Sequence, residues 1–388
     1  MTEHTTEQAA AAPKHTALHA EHEKLGASFT DFGGWDMPLK YGSELAEHRA
    51  VREAAGIFDL SHMGEVWVSG ADAAKFLNTA LVGNFAVTAV GKAKYSLIVN
   101  ADGGIVDDLI VYRIADERFL VVPNAGNAPT VARLLAERAA GFDVEVRDAS
   151  AETGLIAVQG PNSEAIVRAV VADDAQRAAV ADLAYYAWTA VTVDGLDVLL
   201  ARTGYTGEDG FELYIPAERS PELWQTLIAA GSAHGLVPCG LAARDSLRLE
   251  AGMPLYGNEL GVDTTPFDAN LGGVVSFKKE EDFVGRSALQ AAKAAGASSV
   301  LVGLKGLGRR AGRGGYPVFT PASELTDEAP REIGVITSGQ PSPTLGYPIA
   351  LARLDARYAE VGTTVEVDLR GKRESFEVVA LPFYKRGA

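Results

Sequence analysis

The sequence predicts an α+β fold built on antiparallel sheets, followed by a separate C-terminal β-barrel or jelly-roll domain. Three observations carry this expectation. Helical and strand patterns mix over residues 15–296 with many hairpins, whereas a doubly wound parallel sheet would need strands and helices to alternate. A strong hairpin signal lies at residues 94–112, where two apolar runs flank Asn100-Ala-Asp-Gly-Gly104; Gly and Asp supply the positive φ that tight turns need. The composition then shifts at Gly296-Ala297-Ser298-Ser299, beyond which short strands are separated by Gly/Pro turns. The chain has 388 residues, 47% of them hydrophobic, enough for two or three domains and a sizeable core.

Taken in order, residues 1–14 are Thr/Glu/Ala-rich and lack the basic and apolar regions of a signal peptide, so they are expected to be a disordered tail. Residues 15–25 read as a short amphipathic helix and 29–41 as an ordered, aromatic- and Gly-rich loop with short strands. Residues 43–55 have helical periodicity that stops at Gly56. Residues 57–69 alternate and read as one strand entered from a turn; 71–79 read as a helix. After the hairpin come a strand at 118–123, a helix at 125–140, and strands at 144–148 and 153–161. Pro161-Asn162-Ser163 opens a helix over 162–171. Strands are expected at 191–193, 198–202 and 211–215, with a turn at 204–210, and helices at 220–234, 240–251 and 287–295. Residues 267–277 are an apolar stretch. Strands over 300–379 form the C-terminal domain, so the expected division is 15–296 and 297–388.

The formal net charge of −16 argues against nucleic acid or an anionic membrane as the main partner. The single cysteine, Cys239, excludes an internal disulfide and a Cys-based metal site. With no apolar run long enough to span a bilayer, the expected location is the cytoplasm.

Candidate chemistry gathers in three places. On the hairpin's second strand, Asp107 and Asp108 interrupt an apolar β run. Strand side chains alternate faces, so one carboxylate points to each side, and Asp108 shares its face with Tyr112. A carboxylate in apolar company needs a partner or a job; the plain alternative is a cap or an ion pair with a nearby Arg. The second place is Arg202-Thr-Gly-Tyr-Thr-Gly-Glu-Asp-Gly-Phe-Glu212, where glycines allow close backbone approach and Tyr205 offers a flat ring; it could equally be a turn with a solvated carboxylate. The third is the helix around Gly240-Leu-Ala-Ala-Arg-Asp-Ser-Leu-Arg-Leu-Glu250. Arg244 and Arg248 lie one turn apart on one face. They either pair with Asp245, Glu250 or other carboxylates, or bind an anionic ligand. Tyrosines, carboxylates and arginines together suit an aromatic, anionic small molecule. His62 reads as a satisfied structural histidine. The Gly/Arg-rich stretch 306–315 lacks the strand–loop–helix setting of a phosphate loop and reads as a mobile surface loop.

Seven ordered segments carry a resemblance: Asp31-Phe-Gly-Gly-Trp-Asp-Met-Pro-Leu39, Gly56-Ile-Phe-Asp-Leu-Ser-His-Met-Gly64, 100–112, Ala157-Val-Gln-Gly-Pro161, 202–212, 240–255 and 336–346. Together they make the chain resemble the T-protein family, the aminomethyltransferases of the glycine cleavage system. The resemblance implies a three-domain cloverleaf with ferredoxin-like antiparallel-sheet parts, a C-terminal jelly-roll or barrel domain, and a central hole for tetrahydrofolate. The implied reaction passes the aminomethyl carbon from the lipoyl arm of H-protein to tetrahydrofolate, releasing ammonia and forming 5,10-methylenetetrahydrofolate, without a metal. The family's catalytic aspartate falls on Asp108, which would hold the folate nitrogens. Folate contacts fall on Tyr95, Tyr112, Asn124, Tyr205, Glu212 and Arg244, with Glu212 on the amino-pyrimidine edge. The segment Pro382-Phe-Tyr-Lys-Arg386 resembles one near the folate tail. Arg309, Arg310 and Arg313 are candidates, by charge alone, for docking an acidic lipoyl carrier. Two other readings are weighed. Dimethylglycine and sarcosine dehydrogenases carry the same fold beside a flavin domain, for which no Gly-rich fingerprint is present here. A non-catalytic folate-binding protein of the iron–sulfur assembly type would show a conspicuous Cys motif, which Val-Pro-Cys239-Gly-Leu is not.

Overall fold

A computed structural model describes residues 12–321 and 330–387. Among the described residues the strands form two large antiparallel-rich sheets, a small two-stranded hairpin and a closed barrel, and the α+β expectation is borne out. The first sheet has strand order Ala93–Val99, Ile105–Ala115, Arg118–Pro123, Val66–Ser69, Glu145–Asp148. The second runs Trp188–Val193, Leu196–Ala201, Gly210–Pro216, Thr153–Gln159, Ala55–Asp59, Leu236–Pro238. The barrel closes Ser299–Gly306, Pro348–Asp355, Glu332–Pro341, Pro317–Phe319, Thr364–Asp368 and Arg373–Val379. Residues 1–11 of the expected tail lie outside the described residues; Lys14 bridges to Trp35 of the small hairpin Ser28–Phe32/Trp35–Lys40.

Each sheet buries an apolar layer under its own helices. Val66, Phe76, Leu109, Val111 and Val131 belong to the first layer, and Ile57, Ile156, Phe211, Leu213 and Trp224 to the second. The opposite faces meet in a third layer that includes Phe58, Leu60, Tyr112, Val122, Leu155 and Tyr214. Alternation along Ile105–Ala115 follows from this double burial: Leu109 and Val111 serve the first layer, while Ile110 and Tyr112 serve the layer between sheets.

The run read as one strand at 57–69 is two strands in different sheets, Ala55–Asp59 and Val66–Ser69. Its alternation continues through the break, but tertiary pairing stops it. Asp59 is buried and accepts from Thr16 Oγ1 (2.6 Å), His22 Nε2 (2.9 Å) and Ser61 N (2.9 Å). Burial alone would raise its carboxyl pKa; the His22 and Thr16 contacts overcome that and hold it below the usual range. At the far side of the crossover a Cβ on Gly64 would sit 2.5 Å from Ala128 Cβ, so only glycine lets the chain pass. The helix Asp174–Asp182 and the three-residue parallel strand Leu236–Pro238 were not expected from the sequence.

The helix Leu241–Glu250 ties the sheets to the barrel. Arg248 donates to Asp245 (2.8 Å), Glu259 (3.0 Å) and Ser338 Oγ (2.8 Å). Glu250 accepts from Arg52 (2.8 Å), Ser342 Oγ (2.5 Å), Thr344 N (3.0 Å) and Thr344 Oγ1 (2.8 Å), and lies 3.2 Å from His48. Among the described residues no helix is long and apolar enough to cross a membrane.

Candidate active site

A cavity of about 300 Å³ opens where the two sheets, the crossover and the loop after Leu241–Glu250 converge. Its wall includes Asp108, Tyr95, Asn124, Tyr205, Glu212 and Arg244. Six side chains from four separate regions of sequence thus share one space. Tyr112 is placed differently. It is fully buried behind Glu212, with its hydroxyl 2.9 Å from Thr203 Oγ1 and donating to Glu212 Oε2 at 3.4 Å. Of the segment Pro382–Arg386, Tyr384 and Arg386 line a separate groove with Arg52, Arg202 and Asp209, while Pro382 packs behind Gly252 of the cavity wall.

The hairpin sets the carboxylates. Asn100 Oδ1 accepts from Asp102 N (3.0 Å) and Gly104 N (2.9 Å), closing the turn, and Gly103 takes φ +84°. The register pairs Leu97 with Asp108 and Tyr95 with Ile110. Tyr95 OH then donates to Asp108 Oδ2 (3.1 Å), and Asn124 Nδ2 to Asp108 Oδ1 (2.8 Å). Asp107, on the other face, is fully buried and accepts from Asn124 N (2.9 Å), Asn124 Nδ2 (2.9 Å) and Asn127 Nδ2 (2.7 Å). Asn124 therefore bridges the two acids. Burial pushes both carboxyls up; the Asp108 charge adds to the rise at Asp107, while Tyr95 and Asn124 pull Asp108 back.

On the opposing sheet Glu212 accepts from Thr203 Oγ1 at 2.5 Å, and burial raises its pKa against the pull of Thr203 and Arg244. The glycines of 204–210 prove to serve an internal contact: a Cβ on Gly204 would lie 2.1 Å from Gln159 Oε1, and one on Gly210 2.3 Å from its Cδ. Gln159 in turn donates to Thr203 O (3.0 Å), fixing the residue that holds Glu212. Arg244 packs its guanidinium 4.7 Å from the centre of the Tyr205 ring, and no carboxylate pairs with it among the described residues. Tyr205 OH is fixed by Pro254 O at 2.5 Å.

His62 corrects its expectation. It is buried on the cavity wall, edge-on to Phe32, but its Nδ1 has no hydrogen-bond partner among the described residues. Burial and the nearby Arg244 push its pKa down to about 4 against the pull of Asp59, so the ring is neutral at pH 7. Phe32, Met63, Tyr186 and Leu271 also line the cavity and were missed. Tyr186 carried one local signal, a left-handed φ of +58° between two elements, which only the structure reveals.

The fold and site define an enzyme-like small-molecule cavity: a buried carboxylate on each sheet, aromatic walls and a cation without a charge partner among the described residues. The chain matches the GCVT N-terminal domain over residues 18–279 and the glycine cleavage T-protein C-terminal barrel domain over 300–385. It is 57% identical over 379 residues to an aminomethyltransferase of Streptomyces avermitilis, covering 97% of this chain and 98% of that protein. With the aminomethyltransferase of Bacillus subtilis it shares 42% over 373 residues, covering 96% and 99%. The crystal structure of glycine cleavage system aminomethyltransferase T from Bartonella henselae superposes with a TM-score of 0.86 at 37% identity, covering 96% of this chain and 98% of that one. The chain belongs to the glycine cleavage T-protein family and is an aminomethyltransferase.

Proposed function

We propose that the cavity binds tetrahydrofolate and that the chain transfers to it the aminomethyl carbon carried on the lipoyl arm of an H-protein. The carbon–sulfur bond and the carbon–ammonia bond break, and two carbon–nitrogen bonds to folate form. The two folate N–H protons leave on the sulfur and on ammonia, so the step is balanced without an oxidant. The observation that carries the reading is the placement of Asp108 and Glu212 on the facing sheets of one cavity that Arg244 also lines.

In this reading Asp108 holds a folate N–H and supplies negative charge beside the cationic carbon. Its pKa, raised by burial toward neutrality, suits a group that holds and passes a proton. Glu212 pairs with the amino-pyrimidine edge, Tyr95 and Asn124 fix Asp108, and Arg244 with Tyr205 closes the site. The test is ammonia release from aminomethylated H-protein, with and without tetrahydrofolate. The expected outcome is release that depends on folate and yields 5,10-methylenetetrahydrofolate; folate-independent release at the same rate overturns the proposal.

A further inference from the structure

We propose that His15, His19 and Asp36 form a binding site for a borderline divalent transition metal of the zinc class, outside the cavity. One ligand atom from each residue lies within 4.8 Å of the others. His19 Nε2 is 3.0 Å, and His15 Nε2 3.9 Å, from the same oxygen, Asp36 Oδ2. Two imidazoles and one carboxylate suit Zn²⁺, Co²⁺ or Ni²⁺, whereas Mg²⁺ and Ca²⁺ take oxygen ligands. The fold assembles the set: His15 precedes the helix His19–Lys24, and Asp36 lies on the strand Trp35–Lys40. Lys14 N donates to Gly34 O and Asp36 N to Lys14 O, both at 2.8 Å, so the backbone carrying His15 is pinned to the strand carrying Asp36.

The two imidazoles are stacked, with centroids 3.8 Å apart and planes 4° from parallel. Parallel rings aim their lone pairs side by side, so one must turn for both to reach one ion. His15 can do so, its side chain being 53% exposed. His19 is the anchored ligand, 15% exposed and stacked on Phe29 at 4.7 Å. A metal on His19 Nε2 leaves the ring proton on Nδ1, which faces Glu23 Oε2 at 3.9 Å, the outer carboxylate such ligands commonly use. The bound ion would clamp the first helix to the hairpin whose last residue of the first strand, Phe32, stands on the cavity wall.

The experiment uses the full chain, stripped with a chelator and titrated with ZnSO₄ by calorimetry and with CoCl₂ by visible absorption. One ion per chain is expected, with a rise in melting temperature that MgCl₂ does not reproduce. His15→Ala should weaken Zn²⁺ binding at least about tenfold while leaving the metal-free melting temperature unchanged. His19→Ala should remove binding. Because His19 also packs on Phe29, the exposed His15→Ala variant keeps the test valid if the other is unstable. Absence of binding up to about 100 µM free Zn²⁺, or binding undiminished by His15→Ala, overturns the proposal.

Discussion

The helix Leu241–Glu250 passes two regions that treat charge in opposite ways. At its cavity end Arg244 rests on Tyr205 with no carboxylate partner among the described residues, near acids whose pKa values burial raises. One turn later Arg248 meets Glu259 and Asp245, and Glu250 takes bonds from Arg52 of the helix Glu44–Glu53 and from Ser342 and Thr344 of the barrel side. Burial alone would raise the Glu250 carboxyl, yet the bonds from His48, Ser342 and Arg52 hold it down at about 2. Most polar groups at the junction satisfy one another, Glu259 Oε1 being an exception among the described residues, and this fixes the barrel on the sheets. Those in the cavity stay partly unsatisfied, which costs stability and leaves capacity for a ligand.

Substitutions in the two regions should therefore separate cleanly into losses of activity and losses of stability. The largest effect is expected at Asp108. Asp108→Asn should lower turnover by about 10²–10⁴-fold without unfolding the chain. The raised folded-state pKa means that this acid's favourable contribution is present below its unfolded pKa and lost as pH rises through the folded value. The variant should therefore gain stability relative to the parent as pH rises from 4 toward 8. A variant that melts well below the parent at pH 8 would show that Asp108 holds the fold.

Arg248→Met is the mirror experiment. It strands the fully buried Glu259 and should cost about 3–5 kcal/mol of stability, read by denaturant unfolding. Any folded fraction should keep its affinity for tetrahydrofolate. The junction should also set the acid limit. The lowered Glu250 pKa contributes stability above its unfolded value near 4.5, and this is lost as pH falls toward about 2. The shift is worth about 3 kcal/mol. Glu250→Gln should abolish that acid slope, and an unchanged slope would place acid sensitivity elsewhere.

Much of this contrast was legible in the sequence, and the reason is local. Alternation along 105–112 put Asp108 with Tyr112 and Asp107 opposite, because a strand buried on both faces obeys its period of two. Arg244 and Arg248 share a face in the sequence, but the sequence does not show that one is paired and the other left open, because what decides it is distant in the chain: Tyr205 lies under Arg244, and Glu259 and Ser338 accept from Arg248. The split of 57–69 was hidden because the alternating pattern does not change where the chain leaves one sheet for the other. His62 stands in that crossover, and Tyr186 is held by backbone bonds with Ala93 and Arg202, far along the chain, so no sequence pattern places either on the cavity.

Glu212→Ala should sharpen the comparison at intermediate size. Tetrahydrofolate affinity is expected to fall about 5–100-fold, the loss of one charged hydrogen-bonding group. Melting should hold or rise, since a buried acid with a raised pKa is removed. Undiminished folate affinity would take Glu212 out of the ligand site.

Tyr112→Phe carries the smallest expected effect and tests the wall itself. Tyr112 touches Thr203, Glu212 and Tyr214 through its hydroxyl but does not line the cavity. Removing that hydroxyl leaves Thr203 still donating to Glu212 at 2.5 Å. Stability should drop by about 1 kcal/mol, one net hydrogen bond. The KM for tetrahydrofolate should rise about two- to threefold, well under the 1.4 kcal/mol of a tenfold change, with kcat unchanged. A loss of kcat as large as that of Asp108→Asn would mean that the hydroxyl reaches the reacting groups, and the boundary drawn between the cavity wall and its backing layer would fall.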